Sequence, residues 1–287
     1  MRRKLDGVLL LDKPVGPSSS TVLQAVKKLF GAKKAGHAGT LDPLASGLLP
    51  LLFGEATKFA QFGLDADKAY RALVRLGATT DTGDAEGELR EQRPVAVDDA
   101  ALASALARFR GTIEQVPPMY SALKREGRPL YALAREGRSV ERAPRKVEIY
   151  ALELAGREGD VLDLRIRCSK GTYVRQLAVD LGDALGTGAH LAALRRTAVG
   201  KLRVEEAVAF DVLQDLGPAA LKPVDCLLQA LPRLDLESPQ AEQFLRGAPV
   251  TLPGPEGDCR VYARGDLLGV GRMEGGHLQP RRSVARG

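Results

Sequence analysis

Residues 36–49 read G-H-A-G-T-L-D-P-L-A-S-G-L-L, and three glycines with one proline make this a shaped loop rather than a helix or strand. Pro43 fixes its own φ and biases Asp42 towards an extended conformation. The stretch holds one imidazole, His37, and one carboxylate, Asp42, and the apolar run 48–53 follows at once as an anchor. An anchored loop that presents a lone carboxylate suits a catalytic group. Asp-Pro is also a common turn initiator, so these residues alone leave Asp42 between a chemical role and a turn-forming one.

Upstream, 7–11 reads as a short buried strand closed by a turn over 12–17. Ser18 to Ser20 offer N-caps for a helix over 21–30, with Val22, Val26 and Leu29 on one face. Lys27, Lys28, Lys33 and Lys34 gather at its C-terminal end, where they suit the helix dipole. Gly31 to Gly36 has the G-x-x-x-x-G spacing of a phosphate loop. His37-Ala38 stands where Lys and Ser or Thr would have to be, so a nucleoside-triphosphate site is excluded.

Downstream, 55–64 reads as helix, 70–76 as strand, 79–84 as a polar turn and 98–109 as a helix capped by Asp98 or Asp99. The paired prolines of 115–122 exclude a regular element there, and 124–138 reads as a basic amphipathic helix. Residues 146–152 and 161–168 alternate as strands, 173–185 is helical, and Gly186-Thr187-Gly188 stops it. After residue 230 prolines thicken, and two alternating runs, 260–264 and 267–272, joined by Gly265-Asp266, read as a hairpin. The expected organisation is an α+β domain over 1–229 followed by a small β-rich module over 230–287.

The chain has 287 residues, 44% hydrophobic and 27% charged, which is ordinary globular composition. No apolar run approaches a membrane span, and Met1-Arg2-Arg3-Lys4 does not lead into a signal-peptide core. Cys168, Cys226 and Cys259 are odd in number and far apart, giving neither a disulfide framework nor a zinc pattern, so a reducing cytoplasm is expected. Charge is uneven: 1–34 holds eight Lys/Arg against two acids, 165–203 again eight against two, and 65–119 seven against ten. Basic segments separated by an acidic one point to a positive face, and nucleic acid is the usual partner of such a face.

Several stretches together resemble one family. G-H-A-G-T-L-D-P-L-A-S-G-L-L, K-A-Y-R at 68–71, P-P-M-Y-S-A-L-K at 117–124, C-S-K-G-T-Y-V-R at 168–175 and G-A-H-L-A-A-L-R-R at 188–196 are similar to the TruB-type tRNA pseudouridine synthases of bacteria. Ala38 stands where Thr is common. The tail is a looser match to the RNA-binding PUA module of such enzymes.

The resemblance implies a pseudouridine-synthase fold, a largely antiparallel mixed sheet flanked by helices. It implies isomerisation of uridine 55 in the T arm of tRNA, without cofactor or metal. Asp42 would be the catalytic carboxylate and Arg175 its ion-pair partner. Tyr70 would stack on the target base and take part in proton transfer. Tyr173 and Leu194 would line the base pocket, and His37 would fill the space left by the flipped base. Lys13, Lys58 and Lys170 would contact phosphates. The resemblance further implies a monomer acting without guide RNA or protein partner. Two rivals stand beside this reading, a non-catalytic RNA-binding protein and a guide-dependent synthase.

Overall fold

The computed structural model describes residues 2–121, 124–125, 127–138 and 140–285. Ala122 and Leu123 of the proline-led motif, and Glu126 of the expected 124–138 helix, lie outside them.

The N-terminal part runs β1 (Gly7–Lys13), α1 (Ser19–Leu29), β2 (Ala35–His37) and β3 (Ala45–Phe53). Val8 to Leu11 are buried on both faces of β1, so the strand reads as a continuous apolar run and extends through Lys13. Ser18 caps α1, its hydroxyl accepting from Thr21 N at 3.1 Å. Only 38–44 of the expected 36–49 loop is irregular; its ends are β2 and β3. Gly47 lies inside β3 because another backbone passes close to it, a spacing that the sequence does not display.

Next come α2 (Ala60–Asp65), β4 (Lys68–Leu76), the small hairpin of β5 (Ala78–Thr80) and β6 (Leu89–Gln92), α3 (Asp99–Arg108) and β7 (Gly111–Gln115). The expected 124–138 helix is instead a hairpin of β8 (Lys124–Arg125) and β9 (Arg128–Pro129) followed by the short α4 (Leu130–Arg135). Gly127, at φ 81°, and Pro129 break any helix there. Then follow β10 (Arg145–Glu158), β11 (Val161–Cys168), α5 (Val174–Ala184), β12 (Ala189–Val199), β13 (Leu202–Arg203), β14 (Val208–Ala209) and α6 (Leu213–Leu216).

These strands form one sheet in the order β14-β1-β3-β12-β4-β11-β10-β7, with β2 attached to β3 and β13 to β12. The pairs β1/β14 and β3/β12 are parallel and the others antiparallel. The fold is therefore α+β with a mixed sheet. α3 and α5 close one core over β4, β10, β11 and β12, through Leu102, Leu106, Leu177 and Leu181. α1 closes a second over β1 and β3 through Val22, Leu23 and Val26. Tyr70 and Leu194 pack against both cores, so they stand at the seam between them.

The strand registers set up one row of residues across the sheet: Lys13, Gly47, Arg196, Tyr70 and Ile166. Gly47 (φ 99°) lies so near β12 that a Cβ there would stand 2.3 Å from Arg196 O. Gly47→Ala should therefore destabilise the fold by at least the ~1–3 kcal/mol of a strained backbone position. A urea midpoint unchanged from wild type would contradict this close approach.

The tail comprises β15 (Arg233–Asp235), α7 (Ser238–Leu245), β16 (Val250–Thr251), β17 (Gly257–Ala263), β18 (Asp266–Glu274) and β19 (His277–Ser283). Its sheet has the order β15-β17-β18-β19-β16 over a core centred on Phe244, Val261 and Met273. The hairpin turn is Arg264-Gly265, both at positive φ, with Asp266 already in strand. Phe59, Leu228 and Val270 bury the junction with the rest of the chain. Tyr262 donates to Asp225 across it, and Glu55 accepts from Ala285 N at 2.6 Å.

Candidate active site

The segment 38–44 is short, and it is pinned at nearly every residue. Ala38 N donates to Pro50 O at 3.0 Å, and Gly16 N to Pro43 O at 2.9 Å. The buried Ser19 hydroxyl bridges Leu41, accepting from its N–H at 2.8 Å and donating to its carbonyl at 2.9 Å. From beneath, the buried Arg196 guanidinium donates to Leu48 O at 2.8 Å, Gly39 O at 3.1 Å and Thr40 O at 3.3 Å. Each of these bonds satisfies a backbone group that a tight turn leaves open. The loop is thereby rigid, and Asp42 is presented from a fixed position.

The Asp42 side chain is 48% exposed, but its inner oxygen pairs with Arg175, whose side chain is only 8% exposed. Arg175 enters at the first turn of α5, 133 residues away in sequence. A second acid holds it from behind. Asp84 is buried, with Oδ2 at 3.1 Å from Arg175 Nε, and Arg175 Nη1 donates to Thr82 O at 3.3 Å. The Nε–H direction misses hydrogen-bond geometry, so the Asp84 contact is an ion pair without a formed hydrogen bond. Asp84 is itself fixed by Thr82 Oγ1 at 2.6 Å and Glu86 N at 3.2 Å. One guanidinium thus lies between two carboxylates, one buried and one open to solvent.

Lys13 and Arg196 add buried positive charge near the same carboxylate. Lys13 is buried, its ammonium donating to Pro14 O and Ala45 O, each at 2.7 Å. Burial pulls its pKa down to about 8, with the Asp42 charge acting the other way. Burial also lowers the pKa of Arg196 and raises that of Tyr70, and the Arg196 charge partly offsets the rise at Tyr70. Across the seam, Leu194 is in register with Ala45 and Ala72, two positions along β4 from Tyr70 and so on the same face. Tyr70 and Leu194 therefore form adjoining parts of one half-buried apolar wall.

Tyr173 is the residue that caps α5, two positions before Arg175. The buried Gln115 amide clamps its backbone, accepting from Tyr173 N at 3.1 Å and donating to Tyr173 O at 3.3 Å. His37 ends β2, in register with Leu51, with a buried Nδ1 that has no partner. Burial, and then the Arg196 charge, hold its imidazole below the usual range, so it is neutral at neutral pH.

Each of the three lysines expected at phosphates has a partner within the chain. Lys13 faces inward onto the Pro14 and Ala45 carbonyls. Lys58 pairs with Glu55 at 2.6 Å and donates to Ser283 O at 3.0 Å, so it ties the tail to the main body. Lys170 is 60% exposed but held at 2.8 Å by Asp65. Asp84, Gln115 and Arg196 escaped the sequence reading. A cue for Asp84 was present in T-T-D-T-G-D, where hydroxyls surround an acid; Gln115 and Arg196 gave no comparable cue.

Comparison with known proteins agrees along the whole chain. Family models match in succession: the N-terminal domain of TruB family pseudouridylate synthase over 27–174, the C-terminal domain of tRNA pseudouridylate synthase B over 175–229, and the C-terminal region of pseudouridine synthase II TruB over 232–284. The tRNA pseudouridine synthase B of Dechloromonas aromatica (strain RCB) is 55% identical, over 98% of this chain and 96% of that one. The protein of the same name from Burkholderia mallei (strain NCTC 10247) is 55% identical, over 100% and 99%. A solved Cbf5-Nop10-Gar1 complex is similar in fold, with a TM-score of 0.77 and 26% identity, over 96% of this chain and 84% of that one. The chain belongs to the TruB family of tRNA pseudouridine synthases, which are isomerases.

Proposed function

We propose that the chain converts uridine 55 in the T arm of tRNA to pseudouridine, alone and without cofactor, with Asp42 as the group that acts on the ribose. The observation that carries this reading is the half-exposed Asp42 carboxylate, fixed on a buried Arg175 in a loop pinned from all sides. Geometry of that kind is how a reacting group is held in register with a bound substrate. The reaction is an isomerisation: the N1–C1′ bond breaks, the base turns, C5 bonds to C1′, and the proton that leaves C5 is balanced by one taken up at N1. Asp42 begins it either by attacking C1′ or by taking a sugar proton.

The target must leave its stack, which costs a few kcal/mol. Tyr70 and Leu194 supply the wall on which the flipped base rests, and stacking on one aromatic returns ~1–3 kcal/mol. His37, neutral at neutral pH, fills the vacated space without placing a charge in the stack. Tyr173, clamped by Gln115, closes the side of the pocket nearest Arg175. The β-rich tail serves as a PUA-like RNA-binding module over 230–287, and the enzyme works in the cytoplasm as a monomer.

The Tyr70 hydroxyl is raised by burial and so stands protonated, with the Arg196 guanidinium available to stabilise its anion. Tyr70→Phe should keep RNA affinity and lower turnover by ~10²-fold or more, the scale of one proton-transfer group. Unchanged turnover would reduce Tyr70 to a platform. The reading as a whole is tested by mapping pseudouridine in a bare tRNA transcript treated with the purified chain. Modification at position 55 alone supports it; modification elsewhere, or a requirement for added RNA or protein, contradicts it.

A further inference from the structure

The chemistry described so far leaves one charged group near Arg175 unused. A hollow of about 300 Å³ adjoins Arg175, walled by Thr80, Thr82, Met119 and Tyr120 and bordered by Arg142. Arg142 is half-buried; its Nε is fully shielded and has no hydrogen-bond partner. Among the described residues no carboxylate lies within ion-pair distance of its guanidinium. Asp81, which also borders the hollow, is turned away: it accepts from Glu88 N at 2.8 Å and faces Arg90 at 3.8 Å. A second hollow of about 240 Å³ shares Asp81, Met119 and Tyr120 with the first and is bordered by Arg90 and Arg138. Arginines therefore border both hollows, Arg90 and Arg138 facing Asp81 and Glu136 at 3.8 and 3.9 Å.

The shielded Arg142 Nε–H has no acceptor among the described residues, which leaves it open to a ligand. Arginine's planar fork matches phosphate oxygens, and an aromatic ring with a thioether beside it suits a sugar and base. We propose that this hollow is a subsite for a nucleotide flanking the target uridine, with Arg142 binding its phosphodiester and Tyr120 and Met119 lying against its sugar and base. The proposal rests on the reading of the Asp42 centre as the uridine site. The phosphate would anchor the strand on one side of the flipped nucleotide and hold the ribose over Asp42.

The test is a synthetic T-arm hairpin in which single phosphates beside the target uridine are replaced by neutral methylphosphonates. Affinity and tritium release from C5-labelled uridine are measured with wild type, Arg142→Ala and Arg142→Lys. Among the described residues Arg142 makes no hydrogen bond or ion pair, so the variants should fold, as an unchanged unfolding midpoint would verify. The expected result is a roughly tenfold weaker affinity for Arg142→Ala, a salt slope reduced by about one, and partial recovery in Arg142→Lys. At one linkage the methylphosphonate should weaken wild type by the same factor and leave Arg142→Ala unaffected. Equal responses of both proteins at every linkage, or wild-type affinity in Arg142→Ala, would overturn the subsite. Absence of tritium release from wild type would instead sink the uridine-site reading, and the linkage comparison would still report on binding.

Discussion

Asp42→Asn is expected to lower turnover by ~10³-fold or more while leaving tRNA affinity unchanged. The substitution keeps the size of the side chain and its place in a loop held by Ser19, Pro50 and Arg196. It removes the oxygen proposed to act as nucleophile or base and replaces an ion-pair acceptor of Arg175 with a neutral amide. Because Asp42 is half exposed, the fold loses little, so the unfolding midpoint should stay close to wild type. A non-catalytic RNA-binding protein with the same surface would be indifferent to this change. Single-turnover conversion and tRNA binding, measured on the same preparation, separate the two cases. Wild-type turnover in Asp42→Asn would remove the carboxylate from the chemistry.

Asp84→Asn should lower turnover by about 10²-fold through Arg175, without touching substrate. Asp84 and Arg175 are both buried, and removing the charge of one leaves the other with half its counter-charge in a poorly solvated place. Breaking such a pair costs on the order of 3–5 kcal/mol when the remaining charge finds no other partner. Here Asp42 remains as a partner, so the guanidinium should move towards it rather than leave it, and the carboxylate loses its set position. The readout that distinguishes positioning from simple instability is kcat measured well below the unfolding temperature. A lowered midpoint with wild-type kcat would make Asp84 purely structural.

The legible parts of the sequence were those whose signal is local. The strand at 68–76, the capped helix at 99–108 and the hairpin of 257–274 announce themselves by alternation, caps and turn residues. Likewise, glycine and proline around Asp42 marked a shaped segment, although its ends turned out to be strand. The illegible parts depend on what a side chain meets far along the chain. Lys13 looks like a surface cation until β3 runs beside it, in register at Gly47, and its buried ammonium turns onto the Pro14 and Ala45 carbonyls. Arg196 looks like one of a pair of surface arginines, yet Arg195 turns out to Asp12 while Arg196 turns in to the loop. Asp84 sits in a turn whose function appears only when α5 delivers Arg175 to it. The 124–138 segment has the charge and apolar spacing of an amphipathic helix, but Gly127 and Pro129 interrupt it.

The most direct test is tritium release from C5-labelled uridine in a bare tRNA transcript, with the purified chain and nothing else added. One tritium released per transcript from position 55, and none with Asp42→Asn, is the predicted result. RNA bound with no tritium released by the wild-type chain would contradict it.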